Sequence, residues 1–334
     1  MSHTAVVPFE VGGLRFDVSN ADPELVAFIQ QETENSWAQQ TDRVADLTIE
    51  LSVSEAPDVW EPGTEPMFGI GENAIFGKRL QREVPTWGCQ SMTMTCRSPT
   101  RITLSLPAGP LPAFVALYRV ISTTLKARIL AAGGGELHAS AVFHDGQIVA
   151  FVGPKGAGKT SLCMDFVLSQ NWSFVANDHV LLKAGTPAQV VALPETLRIG
   201  FGTVQQHAEL RGLVASIGRG YGDDGKTRIY LSEVASLLPE RIILSGALSA
   251  IVVCAFDATA PKGGTLSMLS LNDDVLRQAL VDCQGYVRPA WLEFLDVGRS
   301  SDATLSRSLE NIPILGLRRA RGDTYAAVRL ARAL

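Results

Sequence analysis

Gly153-Pro154-Lys155-Gly156-Ala157-Gly158-Lys159-Thr160, with Ser161 after it, meets the spacing G-x-x-x-x-G-K-[ST] without a mismatch. Glycines at 153, 156 and 158 let the backbone wrap closely and turn successive N–H groups inward. That makes a concavity for anionic oxygens in front of a helix N-terminus. Lys159 has the reach to contact β- and γ-phosphates, and the Thr160 hydroxyl is of the type that coordinates Mg²⁺. The stretch Gly153–Ser161 is therefore a candidate binding loop for a nucleotide and its magnesium ion. Asn177-Asp178 begins 18 residues after Lys159, behind the apolar run Trp172–Ala176. A carboxylate at the end of a strand beside the loop strand faces the phosphates, since ligands of open α/β sheets sit at carboxyl ends of strands. There Asp178 can bind Mg²⁺, directly or through water, or accept a proton from an attacking hydroxyl. The plainer alternative is an Asx turn.

These residues need a strand, a loop and a helix in that order. Glu136–Phe143 and Gln147–Val152 read as two strands joined by a tight turn at His144-Asp145-Gly146, and the helix opens at Thr160 and runs to Ser169. Trp172–Ala176 is the next strand, and His179–Leu182 continues in extended form. Further strands are expected at Ile229–Leu231 and Leu248–Phe256. Residues 218–225, with four glycines and two aspartates, read as a flexible loop. Lys226 and Arg228 beside it are either phosphate contacts on a lid or, more simply, part of a solvated loop. Upstream, Val6–Val18, Asp46–Val53 and Ser91–Leu106 alternate like strands, Pro23–Gln40 reads as a helix, and residues 57–72 as a Pro- and Gly-rich loop. Pro107–Pro112 is the clearest boundary, followed by helical spacing from Phe114 to Leu130. Two regions follow: residues 1–106, β-rich and suited to recognition or oligomer contact, and a catalytic domain over residues 113–334.

The net charge is −5 and no basic tract is long enough for broad contact with a phosphate backbone, so nucleic acid is not the expected partner. The arginines at 318, 319, 321, 329 and 332 read as the charged face of a terminal helix. Five cysteines without C-x-x-C spacing suit neither a disulfide framework nor a zinc site, and point to a reducing compartment. No signal peptide and no run of apolar residues long enough to span a bilayer is visible, so the expectation is a cytoplasmic protein without a membrane partner.

Leu137-His138-Ala139-Ser140-Ala141, the glycine loop through Thr160, and Phe174-Val175-Ala176-Asn177-Asp178-His179-Val180 together resemble the catalytic domain of HPr kinase/phosphorylase and its peptide-modifying serine-kinase relatives. That family shares its core with phosphoenolpyruvate carboxykinase. The resemblance covers Glu136 to Leu182. It implies an α/β fold of the HPr-kinase type, a mixed sheet flanked by helices, here preceded by a β-rich α+β region. It implies ATP and Mg²⁺, and a serine hydroxyl of a protein or peptide as acceptor. Lys159 takes the place of the loop lysine and Thr160 that of the metal-binding serine. His138 takes that of the active-site histidine, and Asp178 that of the proton acceptor. Without the resemblance, His138 would read as a core histidine.

The sequence departs from the family pattern at several points. Asn177 replaces the first Asp of a pair, and Ala139 replaces a Gly. Glu195-Thr196-Leu197-Arg198 has one residue too many against Glu-x-Arg-Gly, although Glu195 remains a candidate metal ligand. Val287-Arg288-Pro289 is at best a remnant of Arg-Pro-Gly-Arg. These departures weigh against phosphorylase activity and against HPr as the substrate. Two other readings stand beside the serine kinase. A small-molecule kinase of the shikimate type is disfavoured by the strands that precede the loop, whereas free serine stays open as an acceptor. A nucleotide-binding regulatory module is favoured by Asn177 and opposed by Lys159, Thr160 and Asp178. Trp60, Trp87 and Trp291 read as packing residues rather than a peptide groove, and a homo-oligomer is compatible with everything above.

Overall fold

A computed structural model of the chain describes residues 6–21, 23–32, 44–53, 66–70, 73–76, 80–81, 91–106, 110–193, 196–222, 224–270, 292 and 309–334. The chain divides into two compact units, Met1–Ala131 with Tyr286–Ser300, and Ala132–Gly285 with Ser301–Leu334.

In the first unit, β1 (Val6–Val11) and β2 (Leu14–Ser19) form an antiparallel hairpin. Its turn residues Gly12 and Gly13 both have positive φ, as a two-residue hairpin turn demands. Helix α1 (Pro23–Glu32) and β3 (Leu47–Val53) follow, then β4 (Pro66–Ile70), β5 (Asn73–Phe76), β6 (Leu80–Gln81), β7 (Ser91–Ser98), β8 (Arg101–Leu106) and α2 (Pro110–Ala131). The sheet order is β1-β2-β3-β8-β7-β6-β5-β4. Phe16, Val18, Ile49, Ile102 and Leu104 are buried, as are Leu25 and Ile29 of α1. Phe28 meets Phe114 of α2 edge-on at 5.3 Å. Those contacts tie α2 to this unit, so the compact division falls after Ala131, beyond the prolines at 107–112. Within 57–72, expected as a loop, Pro66–Ile70 is a strand paired with β5. Its proline is the first strand residue, where a missing N–H is tolerated. Of the helix expected over 23–40, residues 23–32 form α1, and 33–43 lie outside the described residues.

The second unit opens with β9 (Gly135–His138), β10 (Ser140–His144), β11 (Gln147–Val152), α3 (Lys159–Ser169), β12 (Ser173–Ala176), β13 (His179–Lys183) and β14 (Gln189–Ala192). Next come β15 (Leu197–Gly200), α4 (Phe201–Gln206), α5 (Ala208–Ile217), β16 (Lys226–Ile229) and α6 (Leu231–Leu237). Last are β17 (Ser245–Phe256), β18 (Thr265–Met268), β19 (Ile314–Arg319) and α7 (Tyr325–Ala331). Nine strands form one sheet in the order β12-β10-β11-β17-β14-β13-β9, with β19 beside β17 and β18 beside β19. β11 and β19 both run parallel to β17. Ile148 to Val152 of β11 are all buried. Val149 and Phe151 join a cluster with Leu162 and Phe166 of α3, while Ile148, Ala150 and Val152 join Leu137, Val180 and Ile251 on the opposite face. A strand covered on both sides needs such an unbroken apolar run. The fold is mixed α/β.

Other expectations change as well. The single strand expected over 136–143 is two, because the chain shifts at Ala139 from pairing with β13 to pairing with β11 and β12. Ile229–Leu231 is not one strand. Tyr230 is the N-cap of α6, its N–H donating to the Glu233 carboxylate at 2.7 Å. Arg318 and Arg319 belong to β19 rather than to a terminal helix, and Arg319 is only 3% exposed. Burial pushes the thiol of Cys254 up to about 12, and pushes that of Cys163 higher still. At pH 8 the native protein should therefore alkylate at these two positions more than about 10³-fold slower than the denatured chain. Peptide mass mapping reads this directly.

No helix among the described residues is long and apolar enough to cross a membrane, which leaves strand-built barrels unaddressed.

Candidate active site

Along its main path the nine-stranded sheet ends at β12 and β9. One residue, Ala139, links β9 to β10, and two, Asn177 and Asp178, link β12 to β13. Links that short hold the ends of the sheet together, so the sheet curls and closes at this seam. The two links are zipped to each other. Ala139 N–H donates to the Asp178 carbonyl at 3.2 Å, and the Ser140 hydroxyl donates to the Asn177 carbonyl at 2.7 Å. His138 is the cross-strand partner of His179. The seam thereby brings residues about 40 positions apart in the chain side by side.

The glycine loop leaves β11 next to this seam and enters α3. Gly153, Gly156 and Gly158 have φ of 143°, 86° and 86°, a region that side chains with a Cβ rarely adopt. A Cβ on Gly153 would also stand 2.6 Å from the Cys254 carbonyl oxygen. Pro154, Lys155 and Gly156 are exposed and Ala157 is buried. Helix α3 starts at Lys159 with no side-chain cap from Gly158, so its first N–H groups, those of Lys159, Thr160 and Ser161, are directed at the loop. Lys159 is 7% exposed and lies back along the loop, donating to the Gly153 carbonyl at 2.8 Å and that of Pro154 at 3.3 Å. The Ser161 hydroxyl is turned to Thr203 of α4 at 2.6 Å, which leaves its backbone N–H as its contribution at the loop.

Thr160 joins the loop to the seam. Its hydroxyl donates to the Asn177 side-chain carbonyl at 2.9 Å. Asn177 is buried, and its amide in turn donates to the Arg198 carbonyl at 3.5 Å. A hydroxyl whose proton is spent on Asn177 keeps its oxygen lone pairs for a cation. Mg²⁺ binds through oxygen and usually keeps waters or substrate phosphates among its ligands, so few protein ligands are needed. Thr160 and Asp178 suit that role. Among the described residues no group of three His, Cys, Asp or Glu could hold a metal alone. Glu195 lies outside the described residues, as do Trp60, Trp87, Trp291 and Arg288.

Asp178 has a side chain 21% exposed, with His138 Nε2 at 3.8 Å from one carboxylate oxygen and Arg198 Nη1 at 4.0 Å from the other. Both distances exceed a hydrogen bond. Arg198 also pairs with Asp224. Burial pushes the Asp224 carboxyl up, but hydrogen bonds from Arg198 and the Lys226 N–H, with the charges of both, hold it below the usual range. Lys226 and Arg228 stand on β16, where Arg228 is directly opposite Arg198 of β15, so this segment is a two-stranded ribbon rather than a loop. His179 Nδ1 sits 2.8 Å from the buried Glu136 carboxylate, which orients a ring 6.0 Å from that of His138.

On the far side of α3, Asp165 is fully buried, with Arg319 Nη1 at 2.8 Å and His207 Nε2 at 3.1 Å. Arg319 Nη2 donates to the Gly158 carbonyl at 3.1 Å, so the buried pair also clamps the end of the glycine loop. Sequence reading missed Arg319, Asp165, Glu136 and Arg198 as members of this region. Only Arg198 had a local signal, its place in the stretch after Glu195.

No protein-family model matches the sequence, and no curated protein matches it. Among solved structures, that of the HPr(Ser) kinase/phosphatase from Coxiella burnetii is similar at a TM-score of 0.31 and 10% identity, over 59% of this chain and 96% of that one. A likeness of that size bears on neither activity nor substrate.

Proposed function

We propose that the chain is a kinase that moves the γ-phosphoryl group of ATP to a hydroxyl, in the first instance a serine of a protein or peptide. The observation that supports this reading is the Thr160–Asn177 hydrogen bond, which ties a loop suited to phosphates to the residue that precedes Asp178. In the reaction, the acceptor oxygen bonds to the γ-phosphorus as the bond to the β–γ bridging oxygen breaks. ADP leaves, and Asp178 takes the hydroxyl proton. Loop N–H groups and Lys159 hold phosphate oxygens, the lysine exchanging a loop carbonyl for an anionic partner. Thr160 and Asp178 would hold Mg²⁺, which neutralises phosphate charge. His138 and Arg198 face the carboxylate from two sides and orient it. In this reading the unit Ala132–Gly285 with Ser301–Leu334 carries the chemistry, and the unit that begins at Met1 serves recognition or oligomer contact.

The test incubates the protein with labelled ATP and with serine-containing peptides, free serine or shikimate, and reads product mass. A gain of one phosphoryl mass on a peptide supports the reading, whereas a gain on serine or shikimate alone moves it to a small-molecule kinase. Nucleotide binding with no product across acceptors leaves a regulatory module. Lys159→Ala should lower turnover by about 10²-fold or more, the scale of one removed charge-stabilising donor. Turnover surviving that change would remove the loop from the mechanism.

A further inference from the structure

β11, which delivers the glycine loop, has different neighbours on its two sides. On one side β10 leads to β12 and Asp178, and on the other lies β17, paired in parallel along its length. If the terminal phosphate points to Asp178, the nucleoside end of the ligand leaves the loop toward the β17 side. This step rests on the nucleotide reading given above. The last residue of β17 is Phe256, 36% exposed although aromatic. Its ring tip reaches the loop: a Cβ on Gly158 would come within 2.8 Å of Phe256 Cζ and 3.2 Å of Cε1. The Arg321 guanidinium carbon stands 5.2 Å from the ring centroid. Arg319, the register partner of Phe256, holds the Gly158 carbonyl from below. An exposed ring, a planar cation and the end of a phosphate loop thus meet in one place.

We propose that Phe256 and Arg321 form the nucleobase shelf of this site, the base stacking on the phenyl ring with the guanidinium as its second planar partner. Stacking and cation–π contact suit a flat heterocycle, and neither reads base edges. The shelf also gives a reason for Gly158 beyond its backbone angle, since any side chain there would push the ring away from the loop.

The experiment compares dissociation constants for ATP and for inorganic tripolyphosphate in the full chain, in Phe256→Ala, Phe256→Trp and Arg321→Ala. Phe256→Ala should weaken ATP by about tenfold or more, the scale of one lost base–aromatic stack. Tripolyphosphate, which has no base, should bind all variants alike, and Phe256→Trp should keep ATP affinity. Arg321→Ala should fall between. ATP affinity unchanged in Phe256→Ala overturns the shelf, and so does equal weakening of ATP and tripolyphosphate, which would mean a distorted loop. A wild-type chain that binds tripolyphosphate but gains nothing from the nucleoside overturns the shelf and leaves the phosphate loop standing. One that binds neither overturns the kinase reading together with the shelf.

Discussion

Asp178→Asn should lose phosphoryl transfer by about 10²- to 10⁴-fold, the span of one positioned general base, while ATP affinity stays within about threefold of wild type. The substitution keeps size and shape. It removes a carboxylate that can accept a proton and puts in its place an amide oxygen that cannot at neutral pH. The surroundings remain supplied with partners, because Arg198 also pairs with Asp224 and the link backbone keeps its bond from Ala139. A fall in kcat at near-constant KM is thus the expected signature. Unchanged transfer would take Asp178 out of the mechanism. Loss of ATP affinity in step with activity would leave Asp178 the metal-holding role alone and remove it as the base. The histidine beside it makes a subsidiary point: at 3.8 Å it is placed to influence the carboxylate, not to replace it.

Arg319→Met should be the most damaging change to stability within this unit. Asp165 is fully buried in α3, and Arg319, itself 3% exposed, supplies its charged partner. Methionine fills similar volume but leaves the carboxylate facing only His207 at 3.1 Å. Breaking a buried pair on one side typically costs about 3–5 kcal/mol, because the remaining charge is stranded in a low-dielectric interior. Hydrogen exchange of the α3 and β19 amides reads the cost where it arises. Arg319→Met combined with Asp165→Leu should be markedly less harmful than the single change, since no charge is then stranded. A loss below about 1 kcal/mol for the single variant would show that Arg319 is not an anchor. Because the same guanidinium holds the Gly158 carbonyl, phosphate affinity should fall in the single and the double variant alike.

How much of this was legible beforehand varies with the distance over which the cause acts. Gln147–Val152 announced itself as a strand behind a tight turn, and Thr160–Ser169 as a helix opening behind the glycine loop. Ala139 did not announce itself at all. Nothing in Leu137–Ala141 says that the chain changes partners there, because strand pairing depends on which other strands arrive, not on the local pattern. Tyr230 misled for a related reason. Ile229-Tyr230-Leu231 has the composition of a strand, but Glu233 three residues beyond Tyr230 completes a helix cap. The terminal arginines misled because composition cannot separate Arg319, drawn inward by Asp165, from Arg321 at the surface.

The sequence by itself determined the backbone of the glycine loop and the carboxylate that follows it. Glycine at 153, 156 and 158 is a local steric matter, settled by the φ each position adopts. What only the tertiary structure decided is the company those residues keep. Asp178 meets His138 because a curled sheet closes at two short links, and Arg198 because the separate β15–β16 ribbon lies beside that seam. Arg319 meets Asp165 across 154 positions because β19 lies parallel to β17 beside the loop strand. Such meetings are set by strand order and register, which are chosen by the packing of the whole unit and leave no trace in any short stretch of the chain.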